Sequence, residues 1–306
     1  MKVCSFLGGI PASNKNPFKK LMLEKFIHGV NAVGDQGVIV TQQRYEECDV
    51  AVIQGFVHQE GKQAPHLMHR QMVLGINTVK PKRCVIIDSN MFLFATPNDP
   101  LSMCRYSFDG VFPTTGEYCS DGVGAEHWVR VKNNYNINYQ LWKKSGNHIL
   151  ICLQRNGGWS MQGEDVVDWL RKTVTLLREY SDRPIVVRGH PGDGKFRLYL
   201  QQLRSIKGIS ISDHTTKHIT HDLNNAWATV VKNSSPSVAS VMQGVPVFVT
   251  DPDHCQAKEV ANTNLQKIES PEYFDLEQWL WKISASHWNI NELADGSCWR
   301  HMKRYV

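Results

Sequence analysis

Short runs of aliphatic residues, each the length of a single strand, recur along this chain with amphipathic stretches between them, and one long polar interval interrupts the series. Residues 3–7, 38–40, 50–53 and 84–87 read as buried strands before the interval. The series resumes at residues 148–153, 184–187, 209–211, 228–231 and 245–250. A strand, a helix and a further strand in that order need a crossover connection, and crossovers give parallel sheets covered by helices on both faces. The sequence therefore predicts an α/β protein made of two doubly wound, Rossmann-like domains.

Helix signals agree with this pattern. Asn16-Pro17 sets a capping side chain before a proline at the first helical position, ahead of Phe18, Met22, Ile27 and Val30 at near-helical spacing. Val166, Leu170, Val174 and Leu177 mark one helix of the second domain, and Phe196, Leu200 and Leu203 mark another. Between residues 114 and 147, Gly116, Gly122, Gly124 and the run Asn133-Asn134-Tyr135-Asn136 sustain no period, so the domain junction is expected there. The predicted organisation is a first domain over residues 1–145, a second over 146–275 and a helical tail over 276–306. Trp279, Trp281, Trp288 and Trp299 are more tryptophan than a solvent-facing tail would carry, which predicts that it packs across a domain surface.

Composition narrows the class without choosing a function. A chain of 306 residues exceeds what one core usually serves, and 42% hydrophobic with 21% charged residues excludes a disordered or membrane-embedded protein. No apolar run approaches the ~20 residues that span a bilayer, and the opening stretch is too short for a signal peptide, so a cytoplasmic location without integral membrane contact is expected. The eight cysteines are scattered singly, which favours reduced thiols over zinc or disulfides. The net charge of +5 permits a polyanionic partner and does not require one.

Three turns carry candidate chemistry in the second half. Lys232-Asn233-Ser234-Ser235-Pro236-Ser237 stands between a strand and a helix, with Ser235 as cap. The N–H groups of a helix start, joined by the Ser234, Ser235 and Ser237 hydroxyls, suit a diphosphate, although the same residues also serve simply to begin a helix. Arg188-Gly189-His190-Pro191-Gly192-Asp193-Gly194-Lys195 follows the strand at 184–187 and falls on the edge where open α/β sheets bind ligands. There His190 can donate to a phosphate oxygen or protonate a leaving group, while Arg188 and Lys195 can neutralise phosphate charge. Arg155-Asn156-Gly157-Gly158 is a third, weaker turn, in which Arg155, Gly157 and Gly158 can bring backbone N–H groups to phosphate or sugar.

Other segments are less specific. Gly8-Gly9 holds the equivalent place in the first domain, where glycines let a substrate come close to the backbone. Asp251-Pro252-Asp253 has the D-x-D form of some metal-binding transferases, but its proline-stiffened turn reads as a solvated loop, and no metal or other cofactor is expected. Gln256 and Glu259 lie where a carboxylate could meet a ribose diol. For a catalytic base in the first domain, Asp109, Asp88, His58 and Asp121 are all open candidates.

With these residues on the page, the second half resembles the superfamily of capsule-type glycosyltransferases and CDP-glycerol polymerases. In that group an R-x-H-P turn precedes an N-S-S turn and a G-x-P-V strand, here Arg188 to Pro191, Asn233 to Ser235 and Gly244 to Val247. Bacterial sialyltransferases look similar in pairing an H-P turn with two serines. The resemblance implies a metal-independent GT-B transferase in which His190 and the serines hold donor phosphate, and an acidic D-G turn of the first domain supplies the base. Asp109-Gly110 matches that turn best and Asp121-Gly122 next. The closing residues Trp288, Asn289, Glu292, Leu293, Gly296 and Trp299 are similar to terminal helices of phage and bacterial members, which cross back to brace the first domain. The implied reaction moves a sugar from a nucleotide-diphosphate donor, a UDP-sugar first, to a hydroxyl acceptor. A phage setting makes 5-hydroxymethylcytosine in DNA the favoured acceptor. A capsular or lipopolysaccharide glycan, a sugar-nucleotide epimerase and a non-catalytic binding module follow as alternatives.

Overall fold

A computed structural model describes residues 1–12, 14–55, 64–75, 83–96, 98–99 and 102–306, so His58 lies outside the described residues. The described strands are β1 (Lys2–Phe6), β2 (Gln36–Val40), β3 (Val50–Gln54), β4 (Arg83–Asp88), β5 (Met103–Phe108), β6 (His148–Cys152), β7 (Ile185–Arg188), β8 (Ile209–Ser212), β9 (Ala226–Val231), β10 (Val247–Val249) and β11 (His287–Asn289). The described α-helices are α1 (Phe18–Ala32), α2 (Pro65–Val73), α3 (Glu126–Tyr135), α4 (Val166–Arg178), α5 (Phe196–Arg204), α6 (Ile219–Leu223), α7 (Pro236–Met242), α8 (Glu277–Ala285), α9 (Ile290–Ala294) and α10 (Ser297–Met302). None of them is long and apolar enough to cross a membrane.

The chain forms two compact units, one of residues 1–111, 115–131 and 281–306, the other of residues 112–114 and 132–280. The first unit holds a six-stranded sheet in the order β11-β5-β4-β3-β1-β2, and the second a five-stranded sheet in the order β10-β9-β6-β7-β8. All pairings of the second sheet are parallel. Those of β1 to β4 are parallel as well, whereas β5 runs antiparallel to both β4 and β11. Both sheets are Rossmann-like, and the C-terminal helices belong to the first unit, as the fold class predicted.

Packing explains the helices. In the second unit Val166, Leu170, Val174 and Leu177 of α4 bury against Ile149, Ile151, Val187 and Val230 of the sheet, and Asp165 caps α4 by accepting from the Val167 and Asp168 N–H groups. In the first unit Met22, Leu23 and Phe26 of α1 close over Val3, Val50 and Val52, together with Trp288 and Trp299 of the tail. Asn16 does take up the Phe18 N–H at 3.0 Å, with Pro17 as the last residue before α1.

Two elements depart from the sequence reading. β5 escaped it because the strand carries Arg105 at its centre, and a charged residue breaks an apolar run. The charge is tolerated because Arg105 sits in register with Asp88, pairs with that carboxylate and donates to Tyr118 Oη at 3.3 Å. The tail is not helical throughout, since His287–Asn289 adds to β5 as a strand. The interval at 114–147 also holds a regular element, α3, which buries Trp128 and Val131.

Candidate functional site

In the second unit β6 lies between β9 and β7, and the chain leaves β6 and β9 in opposite directions, so the carboxyl ends of these strands form the edge at which open α/β sheets bind ligands. Three turns meet there, and side chains stitch them together. Gln154 Nε2, after β6, donates to Asn233 Oδ1, after β9. Asn233 Nδ2 in turn donates to Ser160 O at 3.0 Å and Asp251 Oδ2 at 2.7 Å. The turn after β7 is fixed by Asp193, whose Oδ2 accepts from Asn156 N at 3.0 Å and Tyr199 Oη at 2.5 Å, and whose Oδ1 accepts from Lys195 N at 2.9 Å. Burial opposes the charge on Asp193, yet these bonds hold its carboxyl below the usual range. Gln154 lies outside the turns singled out by sequence, and Asn233 and Asp193 lie within them without a role assigned there, because a polar residue beside a strand end carries no pattern that announces its partners.

His190 is poised as a hydrogen-bond donor. Gly192 N–H donates to its Nδ1 at 2.9 Å, so the proton of the neutral ring resides on Nε2. Burial, and after it the nearby Arg155 charge, lowers the pKa of His190, which keeps the ring neutral near pH 7. A Cβ placed on Gly192 would lie 2.6 Å from Arg155 Nη2 and 3.2 Å from His190 Cε1, so guanidinium and imidazole flank the same glycine. Gly157, at φ +70°, presents open backbone 3.7 Å, at its would-be Cβ, from Lys195 Nζ, and Gly158 N–H closes the turn onto Arg155 O at 3.0 Å. Arg155, Gly157, Gly158, His190 and Lys195 thus come together, as expected.

The serine turn differs from expectation. Ser237 is fully buried, and its Oγ donates to Ser234 O at 2.8 Å, which makes it part of the helix start and turns it away from any ligand. The Ser237 and Val238 N–H groups are already bonded to Ser234 O and Ser235 O, and α7 is seven residues long, so the helix end offers less than the sequence promised. The Ser235 side chain makes no capping bond and is exposed, while Ser234 Oγ is buried without a partner among the described residues.

Arg188 is also corrected. It is 7% exposed, pairs with Asp222 at 2.5 Å and donates to Lys217 O at 2.7 Å, so its charge is spent inside the unit and it braces the end of β7. Glu259 is exposed on a single 3₁₀ turn, Lys258–Val260, rather than on a helix, and Gln256 is buried with its carbonyl bound to Trp279 Nε1. The D-x-D turn is divided. Asp251 faces Asn233 and His254, whereas Asp253 is exposed and pairs with Lys258.

In the first unit the corresponding reversal point lies between β1 and β3, the two strands from which the chain departs in opposite directions. Gly8 and Gly9 occupy the 3₁₀ turn directly after β1. Asp88 ends β4 on the same edge, part-exposed and gripped by Arg105. Asp109, the first choice for a base, is on the wrong edge. Because β5 is antiparallel to β4, its far end returns to the place where β4 begins, and there Asp109 Oδ1 accepts from Cys84 N at 2.8 Å while Oδ2 pairs with Arg83 Nε at 2.6 Å. Asp121 shares that edge, since Tyr305 donates to its carbonyl while Arg83 donates to the Tyr305 carbonyl.

No protein-family model matches the chain, and no curated protein matches it either. Among solved structures it is similar to the KpsC β-Kdo 2,4 transferase of Thermosulfurimonas dismutans, with a TM-score of 0.54 and 12% identity over 96% of this chain and 98% of that one. It is similar also to the KpsC β-Kdo 2,7 transferase of the same organism, with a TM-score of 0.56 and 11% identity over 97% and 99%. The fold is that of the GT-B class.

Proposed function

We propose that the chain is a glycosyltransferase that binds a nucleotide-linked sugar at the ends of β6, β7 and β9 and transfers the sugar to a hydroxyl acceptor. The observation that carries this reading is the neutral His190 with its proton on Nε2, set with Arg155 and Lys195 at the carboxyl ends of β6 and β7, beside the β6–β9 boundary at which the second sheet reverses its strand order. Such a group donates a hydrogen bond to a phosphate oxygen of the donor, and the bond strengthens as negative charge builds on the leaving phosphate. Arg155 and Lys195 supply positive charge that a divalent metal would otherwise bring. The Ser234 and Ser235 hydroxyls are further donors on the β9 side.

Asp88 is our choice for the base. It takes the acceptor hydroxyl proton as the acceptor oxygen bonds to the anomeric carbon and the bond from that carbon to the donor phosphate breaks. The shared fold of the two Kdo transferases favours a glycan hydroxyl as acceptor, and hydroxymethylated DNA is the alternative. The test is incubation with labelled uridine- and cytidine-linked sugars, with oligosaccharides and hydroxymethylated duplex DNA as competing acceptors. Labelled glycan is the expected product. Labelled DNA alone would reverse the acceptor choice, and failure of any nucleotide sugar to bind would overturn the donor reading.

A further inference from the structure

We propose that the ends of β1 and β3 in the first unit form an oxyanion-binding site, built from His69 and Arg70 of α2, that takes a carboxylate or phosphate ester carried by the acceptor. The two side chains are 4% and 7% exposed, a degree of burial that a cation and an imidazole rarely reach without a partner. Arg70 Nε donates to Gly9 O at 2.8 Å. Its outer nitrogens lie over Gly55, the first residue after β3, at φ +83°, where a Cβ would be 2.6 Å from Nη1 and 3.0 Å from Cζ. Glycine at Gly9 leaves room for the stem of Arg70, since a Cβ there would meet its Cγ at 3.1 Å, and glycine at Gly8 does the same for the His69 ring, whose Nε2 would be 3.0 Å away.

Among the described residues, neither ring nitrogen of His69 has a hydrogen-bond partner and Arg70 makes no ion pair with a carboxylate. Asp88 is close enough for its charge to favour protonated Arg70, but its own ion pair is with Arg105. Burial nevertheless lowers Arg70 to about 10, and burial together with the Arg70 charge lowers Lys19. Hydrogen-bond donors and positive charge therefore converge on one strand edge with little opposite charge to meet them, which is the donor set that a bound oxyanion satisfies. The proximity to Asp88 gives the site a role. An acidic or phosphorylated acceptor anchored on Arg70 would bring a hydroxyl to the base candidate. That role rests on the transferase reading, whereas the anion site itself does not.

The site can be followed at His69 alone, through the ¹⁵N signals of its ring in the full chain, assigned with His69→Gln. Titration with inorganic phosphate should shift them saturably, and Arg70→Gln should weaken the apparent affinity about tenfold or more. Should Arg70→Gln fail to fold, Arg70→Lys keeps the charge and should retain weaker binding. An unmoved His69 signal, or equal affinity in the Arg70 variants, would overturn the site. A hexuronic acid and a hexose phosphate, each against its neutral ester or parent sugar, then separate carboxylate from phosphate recognition. Saturable binding without transfer from any nucleotide sugar would refute the transferase reading alone. Transfer with equal KM for anionic and neutral acceptors would refute the acceptor role alone.

Discussion

Single residues divide by the strand edge on which the chain leaves them. His190 keeps its Nδ1 occupied by Gly192 N–H, so replacing it removes one defined donor at the strand edge. His190→Ala should lower kcat/KM by about a hundredfold, with His190→Gln recovering part of the loss through its amide N–H. Steady-state kinetics with the donor that the labelled-sugar experiment identifies would measure both, and an unchanged His190→Ala would remove the residue from catalysis. The two carboxylates give the opposite pair of expectations. Asp88→Asn should reduce kcat strongly, whereas Asp109→Asn should leave kcat within about twofold and cost on the order of 1 kcal/mol of stability, since it loosens the tie to Arg83 and Cys84 N. A large kcat loss in Asp109→Asn would reverse the assignment. The acidic D-G motif was legible at Asp109, but its position was not, because edge placement depends on whether β5 is parallel or antiparallel, and Arg105 hid that strand. His190, Arg155 and Lys195 were legible because all three follow strands with clear apolar runs. Arg188 was misread for a related reason. Its partner Asp222 is 34 residues away, and no local pattern announces a long-range ion pair.

At the scale of elements, the parallel strands and their helices followed from periodicity alone, while the packing of the tail followed only in outline. Tryptophan content implied burial, and α9 and α10 do pack in the first unit, but the contact that seats them is a glycine. A Cβ on Gly29, in the last turn of α1, would fall 1.9 Å from Leu293 O of α9 and 2.9 Å from Gly296 Cα. His28 Nδ1 bonds Ala294 O at 2.9 Å on the same line. Helix propensity favours alanine over glycine inside a helix by roughly 1 kcal/mol, so an exposed Gly29 would be a site for stabilisation. The close approach reverses the sign. Gly29→Ala should destabilise the protein by about 2 kcal/mol or more, measured as a fall in the denaturation midpoint. A rise in that midpoint would show that α1 and α9 can separate at no cost. A second element contact makes the same point with charge. Arg130 of α3 pairs with Glu292 at 2.6 Å, donates to His287 O at 2.6 Å and lies 4.1 Å over the Trp288 ring, so Arg130→Met should cost about 2–4 kcal/mol in the same assay. Methionine preserves much of the stem packing, and a near-neutral result would mean that apolar contact rather than charge holds α3.

For the whole molecule, the two units should respond differently to acid. Among the described residues of the first unit, His287, His301 and His127 are held neutral furthest below the usual histidine range, and burial lowers His69 as well. His287 is wholly buried, its Nδ1 bonds Ile283 O at 2.7 Å and its Nε2 accepts from Met91 N at 3.1 Å, and burial first of all lowers it to about 3. His301 Nε2 bonds Cys119 O at 2.8 Å while its Nδ1 faces Arg304, and burial, opposed by the Cys119 carbonyl, brings it to about 4. His127 stacks near His301 and is lowered to about 4 by burial and then by the His301 charge. A proton on His287 would abolish the bond from Met91 and leave a charge with no water to solvate it. All three folded-state values lie below the unfolded value near 6.5, so between about pH 6.5 and pH 4 the unfolded chain binds more protons than the folded one. Stability is therefore full above pH 6.5 and falls as pH drops through this window, with a slope approaching about 1.4 kcal/mol per pH unit for each histidine that stays neutral. Burial opposes the charge on Asp35, but bonds from the N-terminus, Trp299 and Lys303 hold it at about 2, so its contribution is lost mainly below about pH 5, from the acid end of that window downward. The second unit has His190, His214 and His218 lowered less far. Hydrogen exchange across the chain at pH 7, 6 and 5 should thus show protection lost first in α3, β11 and α10, and His287→Gln, which can replace one ring bond without titrating, should flatten that loss. Earlier loss in α4 or β7, or an unaltered pH profile in His287→Gln, would place the acid sensitivity in groups other than these histidines.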